Sequence, residues 1–348
     1  MCILARVQIP PLLDALLRAH GPTGHEQLAY DVVREAVGDL AEVESDTVGS
    51  LIARRRGTGE GLHLALYAHL DVVGLAVAHI GEDGLLSVHT LGVWRANVAY
   101  GQRVEIATAR GRVTGVIARR TKDAEKVEWD QLYLDIGARD ADEARSLVAP
   151  GDPIVVVAPP VELANGRVAS RSLDDRAGLY VALEALKRLA ADGVGLDLSI
   201  VAAAHEELGA SGAGPATHAL EPDLALVLDV TYASDVPSGD PNESGRHVLG
   251  GGPAIFRGPA VNPHVFELLV RAAEAEGIPY SVETGMRTHS DADDTYLSRE
   301  GVATGLVSLP LRHMHSPIET VELADLDNCI RLVVAFARLL EPGLNLAR

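Results

Sequence analysis

Leu62-His63-Leu64-Ala65-Leu66-Tyr67-Ala68-His69-Leu70-Asp71 is an apolar run that ends directly on a histidine and an aspartate. Residues 62–68 read as a β-strand, as do residues 50–56 before them, because both stretches alternate or are continuously apolar. Working outward, the first forty residues read as helical. Leu28, Ala29, Val32, Val33, Ala36 and Val37 recur at spacings of three and four, with Thr23 as the expected N-cap. Downstream, from Val72 to Pro160, the texture changes to short β-rich pieces separated by glycine: Leu75–Ile80, Leu85–Thr90, Arg103–Ala107, Val113–Ala118, Leu132–Ile136 and Ile154–Ala158. Closely spaced strands with turn signals indicate a small β-barrel or sandwich, inserted into the surrounding domain. After Asn165-Gly166, strand and helix alternate: helix Arg176–Ala191, strand Leu198–Ala204, a helix, strand Leu224–Val230, helix His264–Glu276, strand Val302–Ser308 and a final helix near Glu322–Leu340. The fold class is therefore α/β, a three-layer α/β/α domain around a mainly parallel sheet. The expected boundaries are 1–72 with 161–348 for the discontinuous α/β part and 73–160 for the inserted β-domain. In such folds ligands bind beyond the carboxyl ends of the strands, which is where His69 and Asp71 fall.

Composition bounds the partners. The 348 residues carry 30 Lys+Arg against 49 Asp+Glu, a formal net charge of −19 that repels polyanions and argues against nucleic acid and anionic membranes. The cysteines number 2, Cys2 and Cys329, too few for a disulfide framework or a thiolate zinc site. The most apolar stretch, Leu64 to Ile80, is interrupted by His69, Asp71 and His79, short of a membrane span. The start, Met1-Cys2-Ile3-Leu4-Ala5-Arg6, lacks a basic region followed by an apolar run. A cytoplasmic protein is expected.

Five segments place His or carboxylates at strand ends or in the turns that follow: His69-Leu70-Asp71, Asp174-Asp175-Arg176, His205-Glu206-Glu207, Asp229, and His313-Met314-His315. Singly, each has a bland reading. A Glu-Glu pair is commonly a solvated charge run, and Asp174-Asp175-Arg176 reads as acid complementing a helix dipole. Together they make the pattern of a metal site, since unpaired charge is costly to bury. Zinc, cobalt or manganese favour mixed imidazole and carboxylate donors, and one carboxylate can bridge two ions about 3.5–4 Å apart. Two histidines and three carboxylates suffice for such a pair, and Glu206-Glu207 can supply one ligand and one unligated general base.

The segments together resemble the M42 family of metalloaminopeptidases, the tetrahedral or glutamyl aminopeptidases, some of which carry an old cellulase label. The matching pieces run in family order: Gly21-Pro22-Thr23-Gly24-His25-Glu26, Ala68-His69-Leu70-Asp71, Leu173-Asp174-Asp175-Arg176-Ala177-Gly178, Glu206-Glu207-Leu208-Gly209, Leu228-Asp229-Val230-Thr231 and His315-Ser316-Pro317-Ile318-Glu319. The resemblance implies a metallopeptidase domain interrupted by a small β-domain that often makes subunit contacts. It further implies two divalent ions per subunit, zinc first and cobalt or manganese next. His69 and Asp229 then bind one ion, Glu207 and His315 the other, and Asp174 bridges. Glu206 matches the general base, and Asp71 matches the carboxylate that orients the His69 imidazole. Short peptides are the implied substrates, and homo-oligomers from dimers to tetrahedral dodecamers the implied assemblies.

The chain departs from the family pattern at Val72, where a Glu is common, at His205, where a Gln is frequent, and at Asp175, where an Asn usually follows the bridging Asp. The Thr-Asp-Ala segment appears as Thr288-His289-Ser290-Asp291-Ala292, and Ile117 to Lys126 replaces a Pro-rich, His-containing stretch. Two other activities use similar elements: a metal-dependent deacylase or carboxypeptidase of the same superfamily, and a glycosidase with paired carboxylates. Glycosidases use aromatic platforms beside their carboxyls, whereas aromatics are 4% here and both tryptophans, Trp94 and Trp129, fall in the β-domain.

Overall fold

The computed structural model describes residues 8–59, 61–120 and 126–348. Cys2, the N-terminal hexapeptide and the 121–125 part of the substituted β-domain stretch lie outside the described residues.

The main sheet has eight strands, in the order Glu42–Ser45, Leu51–Arg55, Asp197–Ala203, His63–His69, Leu224–Tyr232, Ala303–Leu311, Ala254–Arg257, Ser281–Thr284. It is mixed. Its four central strands, from Asp197–Ala203 to Ala303–Leu311, run parallel, flanked by antiparallel neighbours on both sides. Alternation along the central strands sends side chains to opposite faces. Leu64, Leu66 and Ala68, with Leu224, Leu226 and Leu228, join a core shared with helices Pro11–Arg18, Leu173–Asp192, Pro263–Ala275 and Leu323–Arg338. Ala65 and Tyr67, with Ala225 and Val227, join a second core under helices Ala213–Leu220 and Ala292–Thr295. Strands apolar on both faces are what a sheet covered by two helical layers requires.

The β-rich middle closes into a six-stranded barrel in the order Gly74–Ile80, Leu86–Leu91, Leu132–Asp135, Gly111–Arg119, Arg103–Thr108, Pro153–Val156. It has its own core, including Leu75, Val77, Leu86, Val104, Ile106, Leu134 and Ile154. A three-stranded sheet, Val161–Glu162, Arg167–Ser170 and Glu319–Glu322, follows it and brings Glu319 beside the start of the long helix.

Several local expectations shift. Thr23 caps no helix: the helix runs Tyr30–Val37 behind a 3-10 turn at Glu26–Ala29, and the Thr23 hydroxyl is used elsewhere. The short strands Ala254–Arg257 and Ser281–Thr284 and the helix Ala141–Leu147, capped by Asp140 accepting from Glu143 N, have no counterpart in the sequence reading. Among the described residues no helix is long and apolar enough to cross a membrane.

Candidate metal centre

Parallel strands deliver their carboxyl ends to one edge, and the flagged residues meet there. His69 is the last residue of its strand, Asp229 lies in Leu224–Tyr232, and Glu206 and Glu207 form the 3-10 turn after Asp197–Ala203. Asp174 sits at the start of Leu173–Asp192, where its backbone and that of Asp175 are not yet helical, and His315 follows Ala303–Leu311.

His69, Asp174 and Asp229 offer ligand atoms all within 4.8 Å of one another, as do Asp174, Glu207 and His315. Asp174 belongs to both groups. Its Oδ1 is 3.0 Å from His69 Nε2 and its Oδ2 is 3.2 Å from His315 Nε2, which in turn is 3.3 Å from Glu207 Oε1. Both imidazoles are held from behind by main-chain carbonyls: His69 Nδ1 lies 2.9 Å from the Asp71 oxygen and His315 Nδ1 lies 2.6 Å from the Val93 oxygen. A carbonyl only accepts, so Nδ1 carries a proton in each ring, and Nε2, facing Asp174, is the atom left to take either a second proton or a cation.

Lone pairs facing a carboxylate need a positive charge between them. Burial opposes a charge on His315, but hydrogen bonds to Asp174 and Glu207 outweigh it and push the imidazole up to about 12. His69 is likewise raised well above its ordinary value, against burial, by Asp174 and Glu206. Burial would raise Asp174, yet the two histidines hold it below the usual carboxylate range. The remaining acids go the other way. Burial, aided by Asp229, Glu207 and Asp174 and opposed by His69, pushes Glu206 up to about 9, and burial also raises Glu207 and Asp229. A crowd of buried carboxyls around two oriented imidazoles is a donor set suited to divalent cations of the zinc, cobalt or manganese class.

A family model described as M42 glutamyl aminopeptidase matches residues 49–332. The chain belongs to this family. It is accordingly a peptidase, and M42 peptidases are metal-dependent. The chain is 34% identical over 345 residues to a lysyl aminopeptidase of Pyrococcus furiosus, covering 95% of this chain and 97% of the relative. Among solved structures it is similar to aminopeptidase APDkam598 of the archaeon Desulfurococcus kamchatkensis, at 35% identity and a TM-score of 0.88, covering 94% and 93% of the two chains. It is also similar to the Pyrococcus horikoshii TET1 peptidase, described as assembling into a tetrahedron or a large octahedral shell. That match has 26% identity and a TM-score of 0.84, covering 94% and 98%.

Around this M42 centre, carboxylates hold backbone amides. Asp71, which the resemblance matched to the carboxylate orienting the His69 ring, places its Oδ1 3.6 Å from Nδ1 and its main-chain carbonyl 2.9 Å from it. The carboxylate also accepts from Glu206 N at 3.0 Å, Glu207 N at 3.1 Å and the Thr23 hydroxyl at 2.8 Å. Glu26 accepts from Gly24 N and His205 N, fastening the 21–26 loop to the same turn. Glu319 accepts from His315 N at 2.9 Å and Asp174 N at 3.2 Å. Thr23, read as a helix cap, and Glu26 and Glu319 stood within the matching segments without a role at the site; of the three only Glu319, four residues after His315, lies beside a ligand in the sequence. Arg176, fully buried and lowered to about 9 by burial and by Arg171, supplies a positive charge near Asp71 and Glu26.

Not every flagged group joins the cluster. Asp175 turns to the helix, where its Oδ1 accepts from Gly178 N at 3.0 Å, and a Cβ at Gly178 would collide with that carboxylate. His313 is exposed, and His205 is half-buried with Nε2 3.6 Å from Glu26. Asp291 of the altered Thr-Asp-Ala segment is buried with both carboxyl oxygens unpartnered, and burial followed by the charge of Glu206 raises it. His289 donates its backbone N–H to Asp293.

Proposed function

We propose that this chain is a dinuclear metalloaminopeptidase that releases N-terminal residues from short peptides. The observation that carries the reading is the meeting of two donor groups, His69, Asp174, Asp229 and Asp174, Glu207, His315, on one shared aspartate. Two divalent ions, zinc first and cobalt or manganese next, would supply Lewis acidity for the scissile carbonyl and acidify the attacking water. Glu206 stands outside both groups, its Oε2 4.0 Å from His69 Nε2 and its side chain partly open. Cations held beside it would favour its ionised form, and as a carboxylate it accepts the proton of the attacking water and delivers it to the nitrogen of the leaving amine. Asp71, through the Glu206 and Glu207 amides, fixes where that carboxylate points. A free α-amine finds carboxylates at the site, which favours one-residue trimming.

In this reading residues 1–72 and 161–348 form the catalytic unit and 73–160 the inserted unit. A homo-oligomer is expected from the likeness to the tetrahedron-forming TET1 peptidase; light scattering that finds only monomers would contradict it. The few cysteines fit the cytoplasm. The decisive assay adds zinc, cobalt or manganese to chelated protein and offers aminoacyl chromogenic substrates beside N-acetylated peptides. Metal-restored cleavage of free N-termini supports the proposal. Cleavage of acylated substrates alone, or activity on glycosides that survives chelation, contradicts it.

A further inference from the structure

We infer that the inserted β-barrel is part of the metal centre: its Gly92–Val93 turn fixes His315 and Glu207, so the barrel's seating governs uptake of one cation and not the other. The inference rests on the metal-centre reading above.

The two imidazoles are oriented from different places. The acceptor for His69 Nδ1 is the carbonyl of Asp71, two residues further along the same loop. The acceptor for His315 Nδ1 is the carbonyl of Val93, 222 positions away and in the turn that leaves barrel strand Leu86–Leu91. Val93 contributes only this carbonyl, since its side chain is 77% exposed. The preceding residue presses on the other ligand. Gly92 has φ of +78°, and a Cβ there would lie 3.2 Å from Glu207 Cβ, 3.3 Å from Glu207 Oε2 and 2.9 Å from Val73 Cγ1. A glycine is what lets the turn lie flat against Glu207.

The next residue ties the turn to the barrel. Trp94 is buried, its Nε1 donates to Gly74 O at 2.9 Å, and its own carbonyl accepts from Trp129 Nε1 at 3.3 Å. The two indole rings meet edge to face with centroids 5.1 Å apart. The position of the Val93 carbonyl is therefore set by barrel packing, and through His315 that packing reaches the site of Asp174, Glu207 and His315. The site of His69, Asp174 and Asp229 has its orienting group on the α/β side.

Groups that orient metal-bound imidazoles influence affinity by roughly 10- to 100-fold. The test is calorimetric titration of zinc, and of cobalt with its visible absorption recorded, into the chelated full-length protein. Wild type is expected to take two ions. Gly92→Ala is expected to bind the first normally and the second about tenfold or more weakly, with the matching part of the cobalt spectrum lost. Trp94→Phe, which keeps a ring but loses the N–H to Gly74, is expected to show the same selective loss to a smaller degree, and it decides the matter if Gly92→Ala does not fold. Gly111→Ala, at a barrel turn with φ of +126° and open space around it, is expected to titrate like wild type. Unchanged second-ion affinity in Gly92→Ala and Trp94→Phe, or equal weakening of both ions, overturns the inference while leaving the metal centre standing. Fewer than two ions in wild type overturns the metal centre itself.

Discussion

Glu206 and Glu207 are adjacent in the chain and chemically alike, yet the turn sends Glu207 to His315 and Asp174 and leaves Glu206 beside His69, outside both donor groups. Glu206→Gln is therefore expected to keep its metal content, measured by elemental analysis, while kcat falls by about 10²–10⁴; a variant that turns over near the wild-type rate would remove Glu206 from the role of base. Thr23→Val tests the clamp beneath it. Losing the hydroxyl that donates to Asp71 is expected to cost about 1–2 kcal/mol in denaturant unfolding and to lower kcat more than it changes KM. Unchanged stability and kcat would show that the Thr23 bond does not support the turn. At this scale the cluster was legible because its members are side chains whose chemistry is readable in a string: His69, Asp174, Glu207, Asp229 and His315. The clamps were not, because Asp71, Glu26 and Glu319 act on backbone amides, and which amide a carboxylate reaches is decided only when distant loops pack. Thr23 shows the cost of local reasoning: a residue suited to capping a helix is used 48 positions away.

Elements meet at His20, which follows helix Pro11–Arg18 and places Nε2 3.0 Å from Glu105 of barrel strand Arg103–Thr108. Burial, then Arg112 and Arg171, lower this imidazole from 6.5 to about 4, with Glu105 only partly opposing. The unfolded chain thus binds a proton between about pH 6.5 and 4 that the folded chain refuses, so stability is full above that window and falls as pH drops through it. Unfolding of wild type and His20→Asn at pH 7.5 and 4.5, with chelator present, is expected to show the wild type losing on the order of 2 kcal/mol more; equal losses would contradict the shift. Strand and helix order was readable from periodicity, because central strands such as His63–His69 are apolar on both faces and the barrel strands are cut by glycines. Ala254–Arg257 and Ser281–Thr284 were not, being the last two strands at one end of the sheet, four residues each, whose pairing, not their sequence, makes them strands.

The whole molecule stacks buried acids at one edge of its sheet, so cations that satisfy them act as part of the fold. Ions that bind the native state alone contribute on the order of 4 kcal/mol at a thousandfold excess over their dissociation constant. Calorimetry is expected to show a Tm that falls on chelation and recovers when zinc, cobalt or manganese is returned; a Tm indifferent to metal would mean the centre contributes nothing to stability. The measurement that bears most directly on the account is anomalous diffraction from crystals of the metal-loaded protein, collected at the absorption edge of the bound ion. Two peaks are predicted on either side of Asp174, one reached by His69 and Asp229 and the other by Glu207 and His315. A single peak, none, or density at any other group of side chains would contradict it.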